Sequence, residues 1–304
     1  MDDKKRLEIL KLCKKIEDSK GEGIIYSLGS SKANMNIPRF STMVEDLDYI
    51  LGGGIPKGRI MEIYGPESSG KTSMGLHLCS LQDMALYVAA EGTFDAERAK
   101  VFGNRPKQLL VYRPHYGEDA LDRTLDFVKV GIPLVVVDSV PALMPKEDYD
   151  KVDKSLENEL RIGGVARLLN KTLPVLEREC EKSNSTVIFI NQVRDKMNAM
   201  LFGEKTDTPG GKALKFYSSV RMQVGRRAWI EVPNKDPRNS SSEQKIGIIT
   251  KCKITKSKVS NPFGECEIPM IFDRGYVSHD DVITIRKEIM AENRKKKAKK
   301  AIDE

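Results

Sequence analysis

The sequence predicts an α/β fold: a mostly parallel, twisted central sheet flanked by helices and preceded by an N-terminal helical arm. Three observations predict it. Continuous apolar runs such as LVVVD (134–138) and TVIFI (186–190) alternate with helical patterns, as strands do when both faces of a parallel sheet are covered. A glycine-rich segment, Gly65 to Thr72, lies between the strand-like RIMEIY (59–64) and a helical stretch. Residues 4–18 carry a separate amphipathic pattern in which Leu7, Ile9 or Leu10, Leu12 or Cys13, and Ile16 recur at helical spacing.

The elements follow in order. After the arm, Gly21, Gly23, Gly29 and the polar run 30–36 mark a linker. Gly52–Gly54 and Pro56–Gly58 form a turn before the strand at 59–64. Residues 85–90 read as a strand, 94–102 as a helix, 109–112 as a strand and 118–130 as a helix. The strand 134–138 leads to a long helical pattern over 156–180, kinked at Pro174, and then to the strand 186–190. Residues 193–211 have no period and are rich in Gly, Lys and Met; a loop of this length is functional or disordered. Strands resume over 219–273, broken by a polar insert at 233–244. This gives three parts: an arm and linker (1–36), a core (37–275) and a short basic tail (276–304).

Composition narrows the class. The 304 residues are 39% hydrophobic and 31% charged, which excludes a membrane bundle and a fully disordered chain. No apolar run approaches the ~20 residues of a membrane helix, and the charged start lacks a secretory signal. Cys13, Cys79, Cys180, Cys252 and Cys266 form no CxxC pair, and His77, His115 and His279 are scattered. A disulfide framework and a His- or Cys-based metal site are therefore not expected, and a reducing cytoplasm fits. The net charge is +7, and from Arg286 to Lys300 eight basic residues face two acidic ones, ending in RKKKAKK. Such a run is either a solvated helix end or a polyanion contact.

Gly65-Pro66-Glu67-Ser68-Ser69-Gly70-Lys71-Thr72 matches G-x-x-x-x-G-K-[ST] in full and in the required strand–helix context. Glycines at 65 and 70 let backbone N–H groups turn inward around phosphate oxygens. A helix starting near Lys71 adds positive potential. Lys71 would reach the β- and γ-phosphates, and Thr72 would ligate Mg²⁺. Asp138, at the carboxyl end of a central strand, is placed to hold the Mg²⁺ or its water; an N-cap is the other reading, since Ser139 follows. Glu91 ends ALYVAAE and would point into the same crevice, as a water-orienting base or an ordinary exposed acid.

GRIMEIYGPESSGKT (58–72), VVVDSVPALMP (135–145), IFINQVR (188–194), TPGGKALKFYSSVR (208–221) and KSKVSNPFGECE (256–267) together resemble the bacterial RecA recombinase family, in the family's order, over about residues 20–275. The resemblance implies a RecA-like core with ATP and Mg²⁺ as cofactors. It implies that Glu91 activates the attacking water and that Gln192 senses the γ-phosphate and couples the nucleotide to the adjacent loop. Lys256 and Lys258 would reach across a subunit interface to a neighbour's ATP, in the manner of arginine fingers. Phe216 would transmit the nucleotide state between subunits. Single-stranded DNA would be held by Ile162, Gly163 and Arg167 and by Arg194, Lys196, Met197, Gly210, Gly211 and Lys212, with cations and glycine N–H groups on phosphates and apolar side chains wedged between bases. Arg226, Arg227, Lys251 and Lys253 match or neighbour a second, weaker site for double-stranded DNA. The arm would pack on the next subunit and build a head-to-tail helical filament. No membrane role is implied.

The chain also departs from the family. Arg98 stands where an adenine-stacking tyrosine is usual, while Asp95 is kept to read the adenine amino group. Asp148, Asp150, Asp153, Glu157 and Glu159 disfavour phosphate contact near the first DNA segment. Bacterial members carry a small extra domain and an acidic tail, whereas here a basic stretch follows Asp273; a trimmed recombinase of the phage or mobile-element kind is expected. The function expected is a DNA-dependent ATPase that pairs homologous strands and exchanges them. A RecA-fold motor such as a ring helicase, or a non-catalytic ATP-dependent filament protein, is the alternative.

Overall fold

The computed structural model describes residues 2–20, 25, 37–154, 163–195, 206–233 and 243–303. Two compact units result, Met1–Pro38 and Arg39–Glu304. The first contains α1 (Asp3–Lys20), whose Leu7, Ile9, Leu10 and Leu12 are exposed. The second begins with β1 (Arg39–Phe40), α2 (Glu45–Leu51) and β2 (Ile55–Pro56), then β3 (Ile60–Gly65), α3 (Lys71–Ser80), β4 (Ala85–Ala89), α4 (Ala96–Val101) and β5 (Leu109–Tyr112). It continues through α5 (Gly117–Lys129), β6 (Leu134–Asp138), α6 (Lys146–Lys154), α7 (Gly164–Ser183), β7 (Thr186–Gln192), β8 (Arg194–Asp195), β9 (Thr206–Asp207) and α8 (Gly211–Tyr217). It ends with β10 (Val220–Pro233), β11 (Glu243–Ser257), β12 (Glu265–Ile271), β13 (Gly275–Tyr276) and α9 (His279–Asp303).

Nine strands form one sheet in the order β13-β12-β11-β10-β3-β7-β6-β4-β5. From β10 to β5 every neighbouring pair is parallel; β10 to β13 are joined antiparallel. The parallel strands alternate between two buried faces. Met61, Ile63, Val136, Ile188 and Ile190 join Met74 and Leu78 of α3 and Leu47 and Leu51 of α2 in one cluster. Ile60, Val135, Val137, Val187 and Phe189 join Leu121 of α5, Leu169 and Leu173 of α7 and Leu214 of α8 in the other. Helices therefore cover both sides, as the apolar runs predict. Among the described residues no helix is long and apolar enough to cross a membrane.

Two differences from the sequence reading bear on function. The long helix expected over 156–180 begins only at Gly164, after Gly163 takes a left-handed conformation (φ 75°), and a separate helix, α6, precedes it. Residues 155–162 lie outside the described residues. As the sequence pattern predicts, α7 continues through Pro174, whose missing N–H leaves the Asn170 carbonyl without its helical donor.

The segment read as a tail is a helix from His279 onward. Ser278 and Asp281 cap it reciprocally: the Asp281 N–H donates to Ser278 Oγ (3.1 Å) and the Ser278 N–H to Asp281 Oδ2 (3.2 Å). Ile285 is buried with Ile230 and Val232 of β10, Ile246 of β11 and Ile271 of β12. Arg274 pairs with Glu288 at 3.1 Å. The first half of α9 thus braces the long β10–β11 hairpin where it runs beyond β3. Substituting Ile285→Ala is expected to lower unfolding free energy by about 2–4 kcal/mol in urea titrations. Ile283→Ala, at an exposed position of the same helix, is expected to stay within about 0.5 kcal/mol.

Candidate functional site

The parallel strands end on one side of the sheet, β3 and β7 two residues beyond β6 and β4. Gly65 is in register with Gln192, Asp138 with Ile190, and Ala89 with Asp138. The side chains just past these ends line a cavity of about 290 Å³: Glu67, Ser68, Lys71, Thr72, Glu91, Asp138, Ser139, Ile190 and Gln192. The sequence placed Lys71, Thr72, Glu91, Asp138 and Gln192 in one crevice, and they meet here.

The glycine-rich segment turns from β3 into α3. Gly70 precedes the helix at φ 93°, and Ser68 is also left-handed (φ 55°). Gly65 is needed for a reason the sequence did not give. A Cβ there would lie 1.9 Å from the Val224 carbonyl oxygen, so the position admits no side chain because β10 passes alongside. The Lys71 ammonium folds back and donates to the Pro66 carbonyl at 2.6 Å. Burial lowers its pKa, opposed by the carboxylates of Asp138, Glu91 and Glu67. Ser69 Oγ is buried within the same turn without a partner.

Asp138 accepts from Thr72 Oγ1 at 2.7 Å and from the Tyr87 hydroxyl. Burial raises its pKa, while the two donated hydrogen bonds and Lys71 hold it down. The N-cap alternative for Asp138 is not what is seen, since its carboxylate faces Thr72. Glu91 accepts from Ser139 Oγ and, at 3.4 Å, from Gln192 Nε2. Sequence reading missed Tyr87 and Ser139; the only local signal for Tyr87 is a hydroxyl inside the buried strand ALYVA.

A second cavity of about 350 Å³ shares Ser68, Lys71 and Thr72 with the first and extends to Arg98, Trp229, Met270 and Phe272. Arg98 is fixed there by donating to Ser73 Oγ (3.0 Å) and the Phe272 carbonyl (3.3 Å), over the Phe102 ring. The Asp95 carboxylate caps α4, accepting from the Arg98 N–H at 2.9 Å. Trp229 and Phe272 were not foreseen: they come from strands far along the chain, and no local spacing links them to the turn at 65–72.

Lys256 and Lys258 lie at the other end of the sheet. Lys256 pairs with Arg221, which pairs with Glu62; the Lys258 N–H donates to the Ser219 carbonyl, whose own N–H donates to Ile60. At ~3.3 Å per residue they sit about 10–17 Å before Gly65 along β3. Lys256 Nζ caps the end of α8, donating to the carbonyls of Lys215 (2.6 Å) and Phe216 (2.9 Å). Burial, then Lys258 and Arg221, lower its pKa to about 8. Lys258 lies 3.6 Å from Glu177 and over the exposed Phe216 ring.

The two expected single-strand segments meet at a groove of about 620 Å³ that includes Gly163, Gly164, Pro209, Gly210 and Gly211. The backbone of β8 and β9 pairs Arg194 with Asp207. Lys212 is exposed, and Arg167 lines an adjoining cleft with Lys171 and Glu118. Asp148 is buried in the groove wall, 2.9 Å from where a Gly164 Cβ would stand. Ile162, Lys196 and Met197 lie outside the described residues. The expected duplex residues divide. Lys251 pairs with Glu265 (3.1 Å) and Arg227 with Glu267 (3.3 Å), beside the exposed Lys253. Arg226 instead stacks over Trp229, which lines the second cavity, and the register between β10 and β11 shifts at Arg227.

A match to the RecA N-terminal domain family covers residues 7–277. The chain is 38% identical to protein RecA of Symbiobacterium thermophilum over 283 residues, 90% of this chain and 76% of that protein. It is 37% identical to protein RecA of Staphylococcus aureus strain JH9 over 291 residues, 94% of this chain and 80% of that protein.

Adding a methyl group at position 65 tests the geometry of the turn. Gly65→Ala is expected to lower stability by about 1–3 kcal/mol and to abolish nucleotide binding. Gly225→Ala, where a Cβ meets nothing within 4 Å, is expected to do neither, as read by thermal unfolding and by a fluorescent nucleotide.

Proposed function

The chain belongs to the RecA family, and from that membership we infer that it is a recombinase that assembles into filaments on single-stranded DNA and exchanges strands in recombination and repair. We further propose that it hydrolyses ATP itself, in a DNA-dependent way, at the crevice beyond β3, β4, β6 and β7. The observation that carries this is the convergence of Lys71, Thr72, Glu91, Asp138 and Gln192 on one cavity.

The residues fit a Mg²⁺–nucleoside triphosphate. Thr72 Oγ1 and Asp138 Oδ2 stand 2.7 Å apart, a hydroxyl and a carboxylate of the oxygen type that Mg²⁺ takes. The unpartnered Ser69 Oγ and the inward-folded Lys71 offer donors to a phosphate chain. When bound, Mg²⁺–ATP supplies the phosphoryl group and the metal charge that offsets its developing negative charge. Lys71 leaves the Pro66 carbonyl and donates to phosphate oxygens. Glu91, fixed by Ser139, orients and deprotonates the attacking water. Gln192 exchanges its bond to Glu91 for one to the terminal phosphate. Arg98, Trp229 and Phe272 bound the base.

Lys256 and Lys258 cannot serve the phosphates of their own chain from the far end of β3. In this reading they complete the site of a neighbouring subunit, with Phe216 at the same interface and the exposed apolar side of α1 on another. DNA lies in the groove at Gly163 and Gly210–Gly211, where backbone N–H groups and nearby cations meet phosphates. Duplex DNA is drawn by Arg227, Lys251 and Lys253, and must displace Glu265 and Glu267 from their partners. The division into an oligomerisation arm, an ATPase core and a basic C-terminal segment belongs to the same proposal.

Turnover of ATP measured with and without single-stranded DNA tests the reading, with electron microscopy of the product. Strong stimulation and helical filaments are expected; Glu91→Gln is expected to lose at least about 100-fold in turnover while still binding DNA. Equal turnover by wild type and Glu91→Gln would remove the catalytic assignment. The low pKa of Lys256 gives a pH signature. Because its charged form is the useful one, and an adjoining phosphate raises its pKa again, turnover is expected to fall as pH rises beyond about 8, and Lys256→Arg should move that fall to still higher pH.

A further inference from the structure

Glu62 is the one fully buried carboxylate among the described core residues, and no step above uses it. It lies in the middle of β3 on the face covered by α7 and α8. Its oxygens are divided. Oε2 accepts from Arg221 Nε on β10, and Oε1 accepts from Asn191 Nδ2 on β7 at 2.8 Å. Arg221 is held in turn over the Tyr64 ring at 4.5 Å, and Tyr64 donates to Thr255 Oγ1 at 3.0 Å.

Asn191 uses both of its amide hydrogens and its carbonyl oxygen. Nδ2 also donates to the Pro209 carbonyl at 2.9 Å, and Oδ1 accepts the Gln192 N–H at 2.9 Å. A carboxamide alone offers two donors and an acceptor from one planar group. The isosteric aspartate would set a second carboxylate against Glu62. The residue joined on one side is Gln192, at the nucleotide cavity; the residue joined on the other is Pro209, immediately before Gly210 and Gly211 at the DNA groove.

The family resemblance already implies that Gln192 couples the nucleotide to the adjacent loop; we propose that Asn191, anchored by the buried Glu62–Arg221 pair, is the positioning residue that carries this coupling, by tying the nucleotide-facing end of β7 to the Pro209–Gly211 turn. The idea rests on the proposed function, because it needs the 193–211 segment to be the DNA-facing one. Glu62 and Arg221 give the joint a fixed base: Arg221 is also the register partner of Lys256, whose ammonium caps α8, so α8 is held at its start through Pro209 and at its end through Lys256.

The test is amide hydrogen exchange over residues 209–217 of the full chain, with and without Mg²⁺ and a slowly hydrolysed ATP analogue, beside ATP turnover with oligothymidine. In the wild type the analogue is expected to slow exchange in this segment at least fivefold. In Asn191→Ala the slowing should vanish, with analogue affinity within about twofold of wild type and DNA stimulation of turnover reduced at least tenfold. Asn191→Ser, which keeps an acceptor for the Gln192 N–H but cannot reach Pro209, should behave alike and guards against a folding defect in the first variant. Nucleotide protection of 209–217 in either Asn191 variant equal to that in wild type overturns the proposal, as does its absence from wild type. Failure of DNA to stimulate wild-type turnover counts instead against the ATPase reading.

Discussion

Parallel pairing in strict register is the constraint from which the site follows. Four strands, β3, β7, β6 and β4, start from different points in the chain yet finish within two residues of one another, because each is hydrogen-bonded to the next without a slip. A slip of one residue would turn every side chain of a strand to the opposite face, and both faces here are packed. The apolar alternation that fills the two cores therefore also fixes where Gln192, Asp138 and Glu91 emerge. Packing sets the register, and the register sets the chemistry.

Electrostatics acts on that frame. The crevice holds a buried lysine beside three carboxylates; Lys71 and Asp138 each offset part of the cost of burying the other, while Glu67 and Glu91 stay exposed. Asp138 is held by two hydroxyl donors rather than by a cation, which leaves it free to meet one. Lys71 spends its charge on a carbonyl. The arrangement is preorganised for a ligand of opposite charge pattern: anionic toward Lys71, cationic toward Asp138 and Thr72.

How much of this the sequence carried depends on the distance over which each feature is determined. The turn at 65–72, the carboxylate of Asp138 and the buried strands are local patterns, and all were readable. Gly65 was identified with an incomplete reason, since the close passage of Val224 is a tertiary fact. The boundary of α7 was misplaced because acidic and apolar residues at 156–162 continue a helical period, while Gly163 alone marks the break. Trp229 and Phe272 lay hidden because they reach the cavity from strands added on the antiparallel side. Arg226 and Arg227 looked equivalent, and only their partners, Trp229 for one and Glu267 for the other, separate them. The helix α9 read as a charged tail because its buried stripe is narrow: Ile285, with Val282 and Ile289 beside it, amid lysines and glutamates.

The far-end position of Lys256 and Lys258 gives this ATPase, on the proposed reading, an uncommon form of thrift. A solitary copy holds every part of its own crevice except the pair of ammonium groups that only a neighbour can lend. Crowding along a strand would then be the on-signal and dilution the brake. Scattered subunits would sit beside abundant nucleotide without wasting it, and no separate inhibitor would be required.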